Sequence, residues 1–124
     1  MHYSHDAFEE MSPEEITRVL QRAPFGRLGL AFENEAYVVP VCHIYDGNAV
    51  RFSIGTQGKT TTYLQANPQA CFEVDEIADD GWCSVICYGG TTLSDSTDSK
   101  RDFLKLTGTE PVTEDELQHL KVYI

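Results

Sequence analysis

Apolar positions recur along this chain with two periods. Ile16, Val19, Leu20 and Ala23 fall at helical spacing behind Ser12, Pro13, Glu14 and Glu15. Serine caps such a helix, proline suits its first turn, and Glu15 completes a capping box. Pro24 ends it. From there the pattern is that of strands. Residues 25–32, 36–45 and 49–54 read as three strands, separated by the turn Glu33-Asn34-Glu35 and by Asp46-Gly47, a strong hairpin signal. Two tight turns make them an antiparallel meander. A short helix follows over 60–67, stopped by Asn67-Pro68, because proline disfavours helix in the residue before it. Residues 70–77 form a fourth strand and 78–81 an acidic turn. A long fifth strand runs from Trp82 to Leu93, with Gly89 and Gly90 allowing a bend. Residues 95–108 read as a helix with Phe103, Leu104 and Leu106 inward, 113–120 as a further short helix, and 121–124 as a last strand. The expected fold is mainly β with flanking helices, about six antiparallel strands closing into a small barrel, since closure removes sheet edges. Residues 1–124 read as a single domain.

Two local features stand out against this pattern. Pro40 interrupts the apolar run VVPVCH. A strand proline lacks a ladder donor and belongs at an edge or bulge, so one edge of this strand should face something other than a partner strand. A flat ligand against free N–H and C=O groups would fit there, as would a plain edge. The second feature is the loop SIGTQGKT. It ends like the phosphate-binding pattern G-x-x-x-x-G-K-[ST], but Ser53 stands where the first glycine belongs. Gly55 and Gly58 permit close approach of the backbone to an anion, the following helix start favours negative charge, and Lys59 can neutralise it. A solvated loop is the plain alternative. The antiparallel meander argues against nucleoside triphosphate hydrolysis, which this loop serves in parallel sheets.

Composition narrows the partners. The net charge is −11 and no basic run occurs, which argues against nucleic acid and anionic membranes. The polar, acidic start is not a signal peptide, and no apolar run approaches the roughly 20 residues of a membrane span. Cytoplasm is the expected compartment. Cys42, Cys71, Cys83 and Cys87 lie in strand-like apolar stretches without a C-x-x-C pair, and read as buried, reduced thiols, not as a metal site.

The segments PVCHIYDG, RFSIGTQGKTTTYLQANPQACFEVD and GWCSVICYGG, in this order and spacing, resemble the pyridoxamine 5′-phosphate oxidase-like flavin-binding split barrels, in particular their nitroimidazole-reductase-like branch. The likeness covers about residues 26–90. It implies a six-stranded antiparallel Greek-key split β-barrel that forms a homodimer, with FMN in two symmetric clefts between the subunits. By this resemblance Gly58, Lys59 and Thr60 would hold the FMN phosphate. Ser53 and Ile54 would run along the ribityl chain and ring. Val39, Pro40, Val41 and Cys42 would give main-chain contacts to the isoalloxazine. His43 falls where relatives place a polar group near the flavin N1–O2 edge; read alone, it is equally a histidine packed within its strand. Trp82 and Ser84 would approach from the partner subunit. Thr60 stands where a second basic residue is common, with the Thr60 and Thr61 hydroxyls as compensation, and Gly90 where many relatives are basic. A basic clamp for a substrate phosphate is missing too, which argues against pyridoxamine phosphate as substrate.

The resulting expectation is a cytoplasmic flavoprotein passing electrons from a reduced nicotinamide through FMN to a small acceptor such as a nitroaromatic, with no side chain as nucleophile. The alternatives are a split barrel binding haem or a deazaflavin, and a dimer that binds flavin for storage or sensing without turnover.

Overall fold

The computed structural model describes residues 9–55, 58–94, 100, 103 and 104, and the backbone of 120–123. The first helix, α1 (Pro13–Arg22), begins as the sequence pattern predicts. Ser12 Oγ accepts a hydrogen bond from the Glu15 amide at 3.2 Å, and Val19 and Leu20 are buried on its inner face. Three strands follow: β1 (Gly26–Phe32), β2 (Glu35–Tyr45) and β3 (Val50–Gly55). The β1–β2 turn is two residues long, with Glu33 at φ 49° and Asn34 at φ 65°. Both are left-handed, which matches the twist of the flanking strands. In the β2–β3 loop Gly47 takes φ 97°, and Asp46 Oδ1 accepts from the amides of Asn48 and Ala49 at 2.8 and 2.9 Å. The bond from Ala49, then that from Asn48, holds the Asp46 carboxyl below its usual range.

Helix α2 (Lys59–Ala66) comes next, then β4 (Gln69–Ala78) and β5 (Gly81–Gly90). Asn67 leaves helical geometry at φ −144°, and its side-chain amide donates to Ala31 O at 2.9 Å. The short β6 (Leu93–Ser94) and β7 (Leu120–Tyr123) complete the sheet. The fifth strand was expected to run to Leu93, with a bend allowed at Gly89 and Gly90. It stops at Gly90 because Thr91 turns aside: its amide and hydroxyl both bond Pro68 O, at 2.8 and 2.9 Å. The last strand begins at Leu120, which the sequence reading gave to a helix; the rest of that helix lies outside the described residues. Of the helix expected over 95–108, Lys100, Phe103 and Leu104 are helical and Phe103 is buried, while Leu106 lies outside the described residues.

The strands pair antiparallel in the order β5-β4-β1-β2-β3-β7-β6. The run β4-β1-β2-β3 is the strand order of a Greek key. Leu28, Leu30, Val41, Phe52, Phe72, Val74 and Val85 point to one side and form the core with Val19, Leu20, Tyr63 and Leu64 of the helices. Gly26 belongs to this packing. A Cβ there would sit 2.1 Å from the Phe72 ring and 3.0 Å from Glu73 O. Gly26→Ala should therefore destabilise the fold by about 1–3 kcal/mol, read as a lower urea midpoint at unchanged slope.

Candidate functional site

β2 changes neighbours part-way along. Its residues 35–41 pair with β1, from Glu35 opposite Phe32 to Val41 opposite Gly26. From Cys42, opposite Ser53, to Tyr45, opposite Val50, it pairs with β3. Beyond Ser53, β3 continues as Ile54 and Gly55, but these pair with β7. β2 and β3 therefore part company at Cys42 and Ser53. The edge of β2 from 35 to 41 carries no strand on that side among the described residues. Pro40 lies in this singly paired stretch, opposite Arg27, which is the edge position its missing N–H requires.

The strand's alternation sorts its side chains. Val38, Pro40 and Cys42 are exposed on the outer face, whereas Val39, Val41 and His43 turn inward. Cys42 and His43 thus point to opposite faces. His43 is 9% exposed. Its Nε2 lies 2.8 Å from Leu20 O, and its ring centroid is 4.8 Å from that of Phe72. Of the two readings of His43, its contacts are those of a packed strand residue. The imidazole is turned into the barrel and satisfies a carbonyl in the last turn of α1, which lacks a helical partner.

Where β3 leaves the sheet, Gly58 turns the chain into α2 with φ 115°, and a Cβ there would meet nothing within 4 Å. The N-cap residue Gly58 brings no side chain to cap this helix start. Among the described residues, its first amides thus have no side-chain cap, an arrangement that suits an anion. Thr61 is committed elsewhere: it is buried, and its hydroxyl donates to Gly55 O at 2.8 Å, while Thr62 Oγ1 donates to Gly58 O at 3.1 Å. Thr60 is half-buried beside them. The expected help from Thr61 in binding an anion thus falls away.

Lys59 reaches back toward β2. Its Nζ lies 2.8 Å from Glu35 Oε1, and 4.8 and 5.4 Å from the ring centroids of Tyr37 and Tyr63. The two tyrosine rings pack at 5.6 Å. The hydrogen bond and then the charge of Lys59 hold the Glu35 carboxyl below its usual range, and Glu35 in turn raises Lys59. Sequence reading found Lys59 but not Glu35, Tyr37 or Tyr63. The signal was spacing: Glu35 and Tyr37 share a strand face at i, i+2, and Lys59 and Tyr63 share a helix face at i, i+4.

Trp82 and Ser84 stand elsewhere, on β5 at the far edge of the sheet from β3. Both are exposed, and Ser84 Oγ donates to Glu73 Oε2 at 3.0 Å. Glu73 and Asp75 each also hold Arg27 Nη1 at 2.9 Å. Around this charged group the outer face is apolar, with Val38 65%, Ile86 52%, Tyr88 80% and Ile77 85% exposed. Ala31, Val38, Cys71 and Tyr88 line an open cleft of about 680 Å³ on it. Among the described residues no group of three or more His, Cys, Asp and Glu is placed to hold a metal ion, and no helix is long and apolar enough to cross a membrane.

An FAD-binding protein of Mesorhizobium loti superposes with a TM-score of 0.74 at 24% identity, over 91% of this chain and 87% of that one. A candidate 5-nitroimidazole antibiotic resistance protein of Bacteroides thetaiotaomicron does so with a TM-score of 0.72 at 17% identity, over 99% of this chain and 89% of that one. At such identities the likeness establishes the fold, that of the flavin-binding split barrels. In sequence, the chain is 26% identical over 80 residues to an uncharacterised protein of Rhizobium meliloti (strain 1021), covering 64% of this chain and spanning about half (52%) of that protein's length. The family model described as pyridoxamine 5′-phosphate oxidase matches residues 12–122, nearly the whole chain. The chain belongs to the pyridoxamine 5′-phosphate oxidase family.

Proposed function

We propose that this protein is a homodimeric flavoprotein that holds FMN in the split between β2 and β3 and passes electrons from a reduced nicotinamide to a small planar acceptor of nitroaromatic type. The observation that carries the reading is the juxtaposition of an open β2 edge with an uncapped, lysine-bearing helix start. The first suits the polar rim of a flat ring system, the second an anionic tail. Gly58, Lys59 and Thr60 would take the phosphate, Ser53 and Ile54 the ribityl chain, and the backbone of Val39, Pro40, Val41 and Cys42 the ring. The bound flavin would supply the electron chemistry. The chain's part is to orient the ring against the rigid β2 backbone and to set the charge around it. The exposed Val38, Ile77, Ile86 and Tyr88 of the outer face are the surface we assign to the partner protomer. In that arrangement Trp82 and Ser84 reach the cleft of the other subunit. A reducing cytoplasm suits four cysteines that are all free thiols.

The first test is the absorbance spectrum of the protein as purified and after added FMN, with mass spectrometry of the ligand released by heat. Flavin bands with an FMN mass support the reading, and an FAD mass changes the cofactor. A Soret band replaces flavin by haem. A colourless protein that ignores both flavins overturns the reading. Tight flavin that no donor reduces leaves a storage or sensing dimer. His43→Leu separates structure from chemistry. Loss of the bond to Leu20 O should cost about 1–3 kcal/mol of stability. The rate of flavin reduction should stay within about twofold, because the ring faces the core; a tenfold fall would restore His43 to the flavin.

A further inference from the structure

Resting on the flavin reading above, we propose that Glu35 is a built-in competitor for the flavin phosphate, a carboxylate that occupies Lys59 whenever the phosphate does not. Lys59 is the cation at the helix start, and its Nζ is already 2.8 Å from Glu35 Oε1. An ammonium has three donors, yet the faces of Tyr37 and Tyr63 flank this one. The aromatic walls stabilise the cation without neutralising it, so among the described residues Glu35 is the carboxylate that offsets its charge. The two partners come from different elements, β2 and α2, and span the mouth of the split. The pair is half in water, so displacement is cheap: Lys59 is 47% and Glu35 62% exposed in their side chains. An incoming phosphate must take Lys59 from Glu35 and then tolerate a carboxylate beside its own negative charge. Glu35 therefore narrows the advantage of phosphorylated flavin over riboflavin and keeps the cofactor exchangeable.

The test compares dissociation constants of FMN and of riboflavin, which lacks the phosphate, by fluorescence titration of the full chain. Glu35→Gln should tighten FMN about threefold to tenfold, by releasing Lys59 and removing one like charge. Riboflavin should move less than about twofold. Glu33→Gln, the same charge change two residues away in the exposed turn, should leave FMN within about twofold. In a Lys59→Met background the gain from Glu35→Gln should shrink to the small like-charge part. An unchanged FMN-to-riboflavin ratio in Glu35→Gln overturns the proposal while the flavin reading stands. Weaker FMN in that variant also overturns it, by making Glu35 a positioning residue for Lys59. A wild-type protein that binds neither flavin overturns both.

Discussion

In the proposed homodimer, Ile86→Glu should leave a folded monomer that no longer retains flavin. Ile86 is 52% exposed on the outer face of β5, so the protomer loses little by the change. In the assembly the new carboxylate lands in an apolar surface, opposite Glu73 in the ladder, where Arg27 already serves two carboxylates. Even a neutral polar group buried without a partner costs about 2 kcal/mol on scales drawn from protein mutants, and a carboxylate costs at least that. A two-fold interface contains the site twice. The penalty is then about 4 kcal/mol, roughly a thousandfold in the dimer dissociation constant. Light scattering behind size exclusion reads the mass, and the ratio of visible to ultraviolet absorbance reads the retained flavin. Flavin should leave with the dimer, because in the proposed arrangement Trp82 and Ser84, on β5 and three strands from β2 in the sheet order, complete the partner's cleft. A persistent dimer would place the interface on another face. A flavin-loaded monomer would show that one chain completes the cleft.

Much of this architecture was legible because local chemistry and the barrel agree. Ser12 with Glu15, Glu33 with Asn34, and Asp46 with Gly47 each specify a backbone shape on their own, and the structure uses all three. Pro40 announced an open strand edge, and the change of partners at Cys42 supplies it. What failed to show were relations between distant segments. The strand break at Thr91 depends on Pro68 O, 23 residues away. His43 was assigned by position in a motif, but strand parity and the carbonyl of Leu20 decide where its ring goes. Glu35 lay in a turn by pattern, and only the packing of α2 over β1 and β2 brings Lys59 to it. Spacing within one element is readable from a sequence. A counter-ion supplied by another element is not.

Lys59→Ala should weaken FMN about a hundredfold and leave riboflavin nearly untouched. Among the described residues, Lys59 is the cation that α2 offers at its start. A charge-assisted hydrogen bond to a phosphate oxygen contributes about 1.5–3 kcal/mol, and the upper figure corresponds to roughly a hundredfold. The α2 amides and Thr60 remain, so binding is weakened and not abolished. The fold should hardly notice. The ion pair with Glu35 is exposed, and such pairs contribute little; the packing of Tyr37 on Tyr63 does not need the lysine. Thermal midpoint and secondary structure should therefore match the wild type, so that the loss of FMN reports the site alone. The residual affinity carries information of its own. Lys59→Ala leaves Glu35 without its counter-charge, held among the described residues by Tyr63 alone and repelling whatever anion arrives. Adding Glu35→Gln to Lys59→Ala should then recover a few-fold of the loss, through the like-charge contribution only. Equal losses of FMN and riboflavin in the single variant would mean that Lys59 acts on the ring or on the fold, and would remove the phosphate from this end of the split.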